Sequence, residues 1–184
     1  MSVIRFCADL HLGHKNIAER RGFSSVEEHD NFIIGRWNEV VTKRDCTWIL
    51  GDITMETKEH YHLLDKMNGM KRVILGNHDS YKHVPELLKH VLTVGALVRH
   101  KGVFLSHCPV HPRELEYRVP YNVHGHIHDA EVGDPRYICV SLERIDYRPK
   151  TLGELIPNWD DKKHRTKVLE DIRNYRETLN KRYE

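Results

Sequence analysis

Short apolar runs, each long enough for one β-strand, recur along this chain between stretches with helical or polar patterns. The runs span residues 3–8, 47–50, 72–75, 103–105, 119–123 and 137–140. A helical pattern follows the first run, where Ser24 or Ser25 can cap a helix that carries Glu27 and Glu28 in its first turn. Further helices are predicted over 57–67 and 85–92. Strands that alternate with helices predict an α/β sandwich.

Side chains of the types that bind metals follow five of these runs directly. They are Asp9 and His11 after the first run, Asp52 after the second, Asn77 and His78 after the third, His107 after the fourth, and His126 and His128 after the fifth. In an open α/β sheet, ligands bind at the carboxyl ends of the strands. We therefore expect five strand ends to deliver Asp, His and Asn side chains to one site.

The spacing within these segments favours a metal site. In Asp-x-His and His-x-His, alternate residues point to the same side of an extended segment. Three neighbouring glycines, Gly51, Gly76 and Gly125, are expected to let the chain turn sharply and approach the ions closely. A mixed nitrogen and oxygen ligand set suits manganese, iron, zinc or nickel better than calcium. The four cysteines form no C-x-x-C pair, and the absence of a nearby cysteine ligand argues against a structural zinc site.

Each of these residues also has an ordinary structural interpretation when it is taken alone. Asp9 and Asp52 could cap helices, and Asn77 could be a turn residue. Asp79 could cap the helix that follows it, and the histidines near residue 126 could belong to a plain loop. Their joint occurrence, each at a strand end, favours the metal site.

The motifs together resemble the calcineurin-like metallophosphoesterase superfamily. The matching segments are Asp9-x-His11, Gly51-Asp52, Gly76-Asn77-His78-Asp79, His107 and Gly125-His126-x-His128. Further segments are similar to small bacterial and phage phosphoesterases of that superfamily, namely 9–17, Arg36-Trp37-Asn38 and Asn122-x-His124-Gly125-His126. The resemblance implies a four-layer α/β/β/α sandwich over residues 1–150 and two divalent transition-metal ions, with manganese expected and iron, zinc or nickel as alternatives.

The resemblance also implies a role for each residue. Asp9, His11 and His128 would hold the first metal, and Asn77, His107 and His126 would hold the second. Asp52 would bridge both. His78 would be catalytic, donating a proton to the leaving oxygen or stabilising the charged phosphorane. The reaction would be hydrolysis of a phosphate ester by attack of a hydroxide that bridges the metals.

The substrate is expected to be a small phosphodiester or a nucleotide. The net charge is only +2, and the sequence shows no basic stripe of the kind that binds a long duplex. Loop residues that could contact the substrate are His14, Lys15, Asn16, Tyr81, Lys82, His83, Arg113, Arg118 and Tyr121. Two alternatives stay open: a phosphomonoesterase or nuclease acting on nucleic-acid ends, and a non-catalytic scaffold with the same fold.

The last part of the chain, 151–184, is expected to be a helical extension packed on the same domain. Its apolar positions fall on one helix face, which comprises Val168, Leu169, Ile172, Tyr175 and Leu179. A contact with a partner or a second copy is the alternative, and the oligomeric state stays open. No apolar run approaches the roughly 20 residues that span a bilayer. The start of the chain is predicted to be a strand rather than a signal peptide, so a cytoplasmic location and no membrane partner are expected.

Overall fold

The computed structural model contains two four-stranded sheets and describes residues 2–116, 119–159, 166–168, 170–171 and 173–174. The first sheet contains β1 (Ile4–Cys7), β2 (Cys46–Ile49), β3 (Met70–Ile74) and β4 (Thr93–Gly95), all parallel and in chain order. The second contains β5 (Val98–His100), β6 (Val103–Leu105), β7 (Tyr121–His124) and β8 (Tyr137–Cys139). In the second sheet β5 and β6 are antiparallel, and the other neighbours are parallel. The chain is therefore an α/β protein, as predicted.

The helices are mostly short. The α-helices are α1 (Lys15–Arg20), α2 (Val26–Val40), α3 (Val84–Leu87) and α4 (Leu152–Leu155). Turns of 3₁₀ helix cover Tyr61–Lys66, Tyr81–His83, Pro112–Glu116 and Leu142–Ile145. Residues 166–168, 170–171 and 173–174 are also helical.

Helix α2 begins as its sequence predicts. The Ser25 hydroxyl accepts a hydrogen bond from the Glu28 amide, which satisfies one of the amides left free at a helix start. Ile33 and Trp37 are buried on its inner face. The next residue, Asn38, ties the helix to the loop before β3, because its side chain donates to the Lys66 carbonyl and accepts from the Asn68 amide. In the segment Arg36-Trp37-Asn38, Trp37 thus packs in the core and Asn38 attaches the helix to the neighbouring loop.

Five elements differ from the sequence predictions. Strands β4 and β5 were not predicted, because three residues are too few to show a strand period. Helix α1 was not predicted either, since Ala18 is the only buried residue among its six. The helix predicted over 85–92 is the single turn α3, and the segment 57–67 forms a 3₁₀ helix over Tyr61–Lys66.

The two sheets meet where β1 and β8 end. The Ala8 amide donates to the Val140 carbonyl at 2.8 Å, and Ala8 forms a parallel bridge with Ser141. Two residues before Ala8, Phe6 exchanges two backbone hydrogen bonds with Lys150, at 2.8 and 3.0 Å. These contacts bring the carboxyl ends of both sheets to a common edge.

The extension contributes to the same core. Leu152, Ile156 and Trp159 are buried, and Val168 packs against the core from the tail. The other predicted apolar positions of the tail, Leu169, Ile172, Tyr175 and Leu179, lie outside the described residues. None of the helices within the described ranges has the length and apolar character needed to cross a membrane.

Candidate metal centre

The seven predicted ligands converge at the common edge of the two sheets, and they form two groups. In one group Asn77 Oδ1 lies 2.8 Å from His107 Nε2 and 2.9 Å from His126 Nδ1. The two histidine nitrogens are 3.2 Å apart. Donor atoms bound to one transition metal at about 2.0–2.2 Å are spaced by about 3 Å, so this triangle has the dimensions of a coordination shell.

The other group contains Asp9, His11 and His128, whose ligand atoms lie within 4.8 Å of one another. The rings of His11 and His128 are stacked, with centroids 5.4 Å apart and planes inclined by 15°. These residues come from the ends of β1 and β7, so each sheet supplies part of the group.

Asp52 stands between the two groups. A single oxygen, Oδ2, lies 3.7 Å from His11 Nε2 and 3.4 Å from His107 Nε2. The other oxygen, Oδ1, accepts a hydrogen bond from the His78 amide, which fixes the carboxylate in place. An oxygen that faces both groups is the arrangement required of a bridging ligand.

The hydrogen bonds of the histidines fit metal binding. His11 is buried, and neither of its ring nitrogens has a partner among the described residues. An unpaired buried polar atom costs about 1–3 kcal/mol, and a bound cation would remove that cost for one nitrogen. His107 and His128 use Nδ1 for the Leu50 carbonyl and the Glu143 carboxylate, respectively, which leaves Nε2 of each for a metal. The residues present therefore fit two divalent cations.

The charges at the site also favour cations. Burial lowers the pKa of His11 to about 3, so its ring is neutral at pH 7 and can offer a lone pair. Burial lowers the pKa of His107 too, but the hydrogen bond and charge of Asp52, together with the Leu50 carbonyl and the charge of Asp9, give a net upward shift. The pair of buried carboxylates, Asp9 and Asp52, provides the negative charge that a dinuclear centre must neutralise.

Five of the seven candidate ligands have a backbone conformation in the left-handed region. Their φ angles lie between 50° and 72°, and the residues are Asp9, His11, Asp52, His126 and His128. Non-glycine residues rarely adopt this conformation, and such strain concentrates at functional sites. The strain supports a functional role for this edge.

The glycines beside the ligands act mainly through their size. A Cβ atom on Gly76 would lie 2.2 Å from Asp52 Oδ1, and one on Gly125 would lie 2.7 Å from Asp9 Oδ2. Of the three glycines predicted to turn the chain sharply, only Gly51 has a positive φ. Gly76 and Gly125 instead leave room for a ligand carboxylate.

Four residues outside the predicted ligand set support the candidate ligands, and three of them, Arg21, Ser141 and Glu143, were not predicted to belong to the site. The Arg21 guanidinium donates to Glu143 Oε1 and to the Asp9 carbonyl, and Glu143 accepts from His128. Burial would raise the Glu143 pKa, but the hydrogen bond from His128 and the charge of Arg21 hold it at about 2. Ser141 donates to Asp9 Oδ2. Glu143 and Ser141 follow β8, so the strand-end argument applied to a sixth run would have found them.

The fourth supporting residue is Asp79, whose carboxylate binds the amides of two loops instead of capping a helix. Its buried carboxylate accepts hydrogen bonds from the backbone amides of Asp52, Ile53 and Gly76 at 2.8–3.0 Å. Burial raises its pKa, and the amide hydrogen bonds oppose that shift. Asp79 thereby locks the loop after β2 to the loop after β3.

His78 and His14 line the same site without belonging to either group of ligands. Their ring centroids each lie 5.9 Å from that of His11, and Nδ1 of each is buried and unpaired within the described part of the chain. His124, another histidine beside the ligands, is buried and donates to the Gly125 carbonyl.

The loop residues that were predicted to contact the substrate differ in how exposed their side chains are. Tyr81 is 76% exposed, whereas Tyr121 is only 8% exposed and packs against Trp159, so Tyr121 offers no face for a base. Lys15 is exposed and paired with Glu19. Arg118 lies outside the described residues.

One expectation about the cysteines is wrong. No cysteine was expected near the metal site. In the structure, Cys108 Sγ and one ring nitrogen each of His107 and His126 lie within 4.8 Å of one another. Cys108 is exposed and forms no disulfide. Its position directly after His107 could have revealed it.

Known proteins place the chain in a family of phage proteins. The Gene 66 protein of Mycobacterium phage L5 is 35% identical over 166 residues, which cover 72% of this chain and 80% of the phage protein. The chain belongs to the family of this Gene 66 protein. No family model matches the sequence.

Two further proteins are similar to this chain at lower identity. The uncharacterized protein MJ1445 of Methanocaldococcus jannaschii is 29% identical to this chain over 168 residues, which cover 85% of this chain and 90% of that protein. A protein of unknown function from Aquifex aeolicus, AQ665, superposes with a TM-score of 0.66 at 23% identity, covering 84% of this chain and 97% of that one. The latter similarity shows a shared fold.

Proposed function

We propose that this chain is a dinuclear-metal-dependent phosphoesterase of the calcineurin-like type, built as an α/β/β/α sandwich and acting in the cytoplasm. The observation that carries the proposal is the position of Asp52 Oδ2 between two groups of ligand atoms. Each group mixes nitrogen and oxygen donors, which suits transition metals such as manganese. When bound, two such cations would lower the pKa of a water and offset the charge of a phosphate.

The residues of the chain prepare the site for this chemistry. Arg21 and Glu143 orient His128, and Ser141 orients Asp9. His78 lies beside the first group, and its Nδ1 has no hydrogen-bond partner among the described residues. From that side of the site it would donate a proton to the leaving oxygen, which is the task of a general acid.

A small phosphodiester or nucleotide is the proposed substrate class. Asn77 and His126 are exposed, so the second group opens to solvent and admits a phosphate. Tyr81 is exposed and lies in the sequence between His78 and Lys82, where it can pack against a base while the lysine binds a phosphate. The intact ligand set favours an enzyme over a non-catalytic scaffold.

The direct test is turnover of two chromogenic substrates, bis(p-nitrophenyl) phosphate and p-nitrophenyl phosphate, by protein loaded with Mn²⁺. We expect about two metal ions per chain and faster hydrolysis of the diester, with loss of turnover in a chelator. Asp52→Asn should weaken binding at both positions by at least about 10–100-fold, since losing even an outer-shell partner has that effect. Asp65→Asn is the matched control, because Asp65 is exposed and pairs only with His90 among the described residues.

Protein that binds two Mn²⁺ ions and hydrolyses neither substrate would contradict the phosphoesterase proposal. Protein that binds at most one ion would contradict the dinuclear site.

A further inference from the structure

Cys108 lies at the exposed side of the second group of ligands. It directly follows His107 after β6, and it shares a cluster of potential ligand atoms with His107 and His126. The other cysteines are placed differently. Cys7 and Cys46 are buried within strands, and Cys139 Sγ is directed to the His128 carbonyl and the Ser141 hydroxyl. Cys108 is therefore the cysteine with a thiol available to the site among the residues described.

The distances allow the sulfur to join the same metal. A zinc ion about 2.3 Å from sulfur and about 2.1 Å from nitrogen requires a sulfur–nitrogen separation of about 3.6 Å in tetrahedral geometry. The Cys108 sulfur and the two histidine nitrogens lie within 4.8 Å of one another, so binding of one metal requires the sulfur to come within about 3.6 Å of each nitrogen. Asn77 Oδ1 already contacts one ring nitrogen of each histidine, and Asp52 Oδ2 lies 3.4 Å from His107 Nε2. Cys108 is exposed, so its sulfur would approach from the solvent side.

We propose that the Cys108 thiolate is an additional ligand of the second metal position. This inference rests on the proposed dinuclear site and specifies its chemistry. On binding, the thiol loses its proton to solvent, and sulfur forms one bond to the metal. A thiolate favours softer metals such as zinc or cobalt over manganese. The second position would therefore prefer zinc, whereas the first, with nitrogen and carboxylate donors only, would also accept manganese.

The test is a titration of metal-free protein with Co²⁺, followed by absorption spectroscopy. A cobalt–thiolate bond gives a charge-transfer band in the near ultraviolet, and nitrogen or oxygen ligands do not. The wild-type protein should show this band, and Cys108→Ser should bind Co²⁺ without it. Cys46→Ser is the matched control, since Cys46 lies at the opposite end of β2 from the ligands, and it should keep the band.

Affinity gives a second readout that does not depend on catalysis. Cys108→Ser should weaken Zn²⁺ binding at the second position by about tenfold or more, because the loss of an outer-shell partner alone weakens binding by about 10–100-fold. Mn²⁺ binding should change much less. Equal loss for both metals, or none for Zn²⁺, would overturn the proposal.

The outcomes separate this inference from the proposed function. Two bound Co²⁺ ions with phosphoester turnover but no charge-transfer band would overturn the Cys108 ligand and leave the phosphoesterase intact. A charge-transfer band without turnover of either chromogenic substrate would support the ligand and contradict the phosphoesterase. Failure to bind any Co²⁺ would contradict both.

Discussion

Left-handed backbone at the ligands is the residue-scale feature that separates this edge from an ordinary set of loops. Each such non-glycine residue costs about 1–3 kcal/mol, which the surrounding contacts must offset. The amide of Asp52 is held by Asp79, and the amide of His126 is held by Asp9. The strained conformations thus persist because neighbouring carboxylates, one of them a candidate ligand, hold the backbone in place.

At this scale the sequence allowed a prediction of which residues would be candidate ligands, but not of which ring nitrogen each histidine would present to the metal. Order and spacing indicated which Asp, His and Asn side chains would meet. Nothing in a His-x-His segment reveals that His126 presents Nδ1 while Nδ1 of His128 is used by Glu143. That choice depends on contacts between residues distant in the chain, which no local pattern encodes. Cys108 was missed because it belongs to no C-x-x-C pair, although it directly follows the candidate ligand His107 in the sequence.

His78 provides a test of roles at the residue scale. His78→Ala should keep metal content near that of the wild type, because its ring belongs to neither ligand group, and should slow the chemical step by about 10²–10⁴-fold if the ring transfers a proton. The loss should be largest for alkoxide leaving groups and smaller for nitrophenolate, which needs no proton. The measurement pairs metal stoichiometry with rates on substrates of both types.

His107→Ala is the comparison for that experiment, since it should remove metal and activity together whatever the leaving group. If the His78 variant loses metal as the His107 variant does, His78 is a ligand and not an acid. If it keeps metal and full activity on both substrates, the acid lies elsewhere, and His14 is the next candidate because it lines the same site.

At the scale of elements, parallel strands explain why the site forms where it does. Strands β1, β2 and β3 run in one direction with matched register, so the residues after them leave the sheet at one edge. Strands β6 and β7 do the same in the second sheet. Asn122 of β7 holds the chain beyond His107, because its side chain accepts from the Val110 amide and donates to Ser106. The longer strands were predictable from the sequence, but the contact of Ala8 with Val140 and Ser141, which joins the two sheets, was not.

Glu143 links three elements, and its removal tests that link. It follows β8, accepts from Arg21 just beyond α1, and orients His128 after β7. Glu143→Gln should lower metal affinity at the first position by about 10–100-fold, because a neutral amide holds and polarises the imidazole less well. Competition with a chelator measures the affinity.

Glu39→Gln is a suitable control, since Glu39 also pairs with arginines but is 49% exposed. Activity of the Glu143 variant should return when excess metal is supplied. Unchanged affinity would show that the carboxylate has no part in holding the ligand.

At the scale of the whole molecule, neither sheet holds a complete site. The first group takes Asp9 and His11 from one sheet and His128 from the other, and Asp52 faces both groups. The packing of the sheets therefore decides whether metals bind. The core also extends beyond the predicted domain limit at residue 150, since Trp159 is buried against Tyr121.

Removing the tail tests how far the core depends on it. Deletion of residues 161–184 should leave both metals bound, because every candidate ligand precedes residue 129, and should lower the unfolding free energy by about 1–2 kcal/mol through loss of the packing of Val168. Urea unfolding, metal analysis and light scattering are the measurements. Trp159→Ala, which removes a buried ring, should cost more, about 3–5 kcal/mol.

A fall in mass on deletion would show that the tail joins copies of the chain, the alternative interpretation of its apolar face. Loss of metal from a truncated protein that remains folded would contradict the ligand assignment.

The contact between Phe6 and Lys150 has a consequence for self-association. An outer strand with unpaired amides and carbonyls can template the addition of a strand from another molecule, which is a common route to aggregates. Here β1 is the outer strand of its sheet, yet Phe6 uses both its backbone groups on Lys150, and Ala8 donates to Val140. The opposite edge is β4, which is only three residues long. The chain thus covers the longer edge of the first sheet with its own later segments, which protects that edge from growth by strand addition.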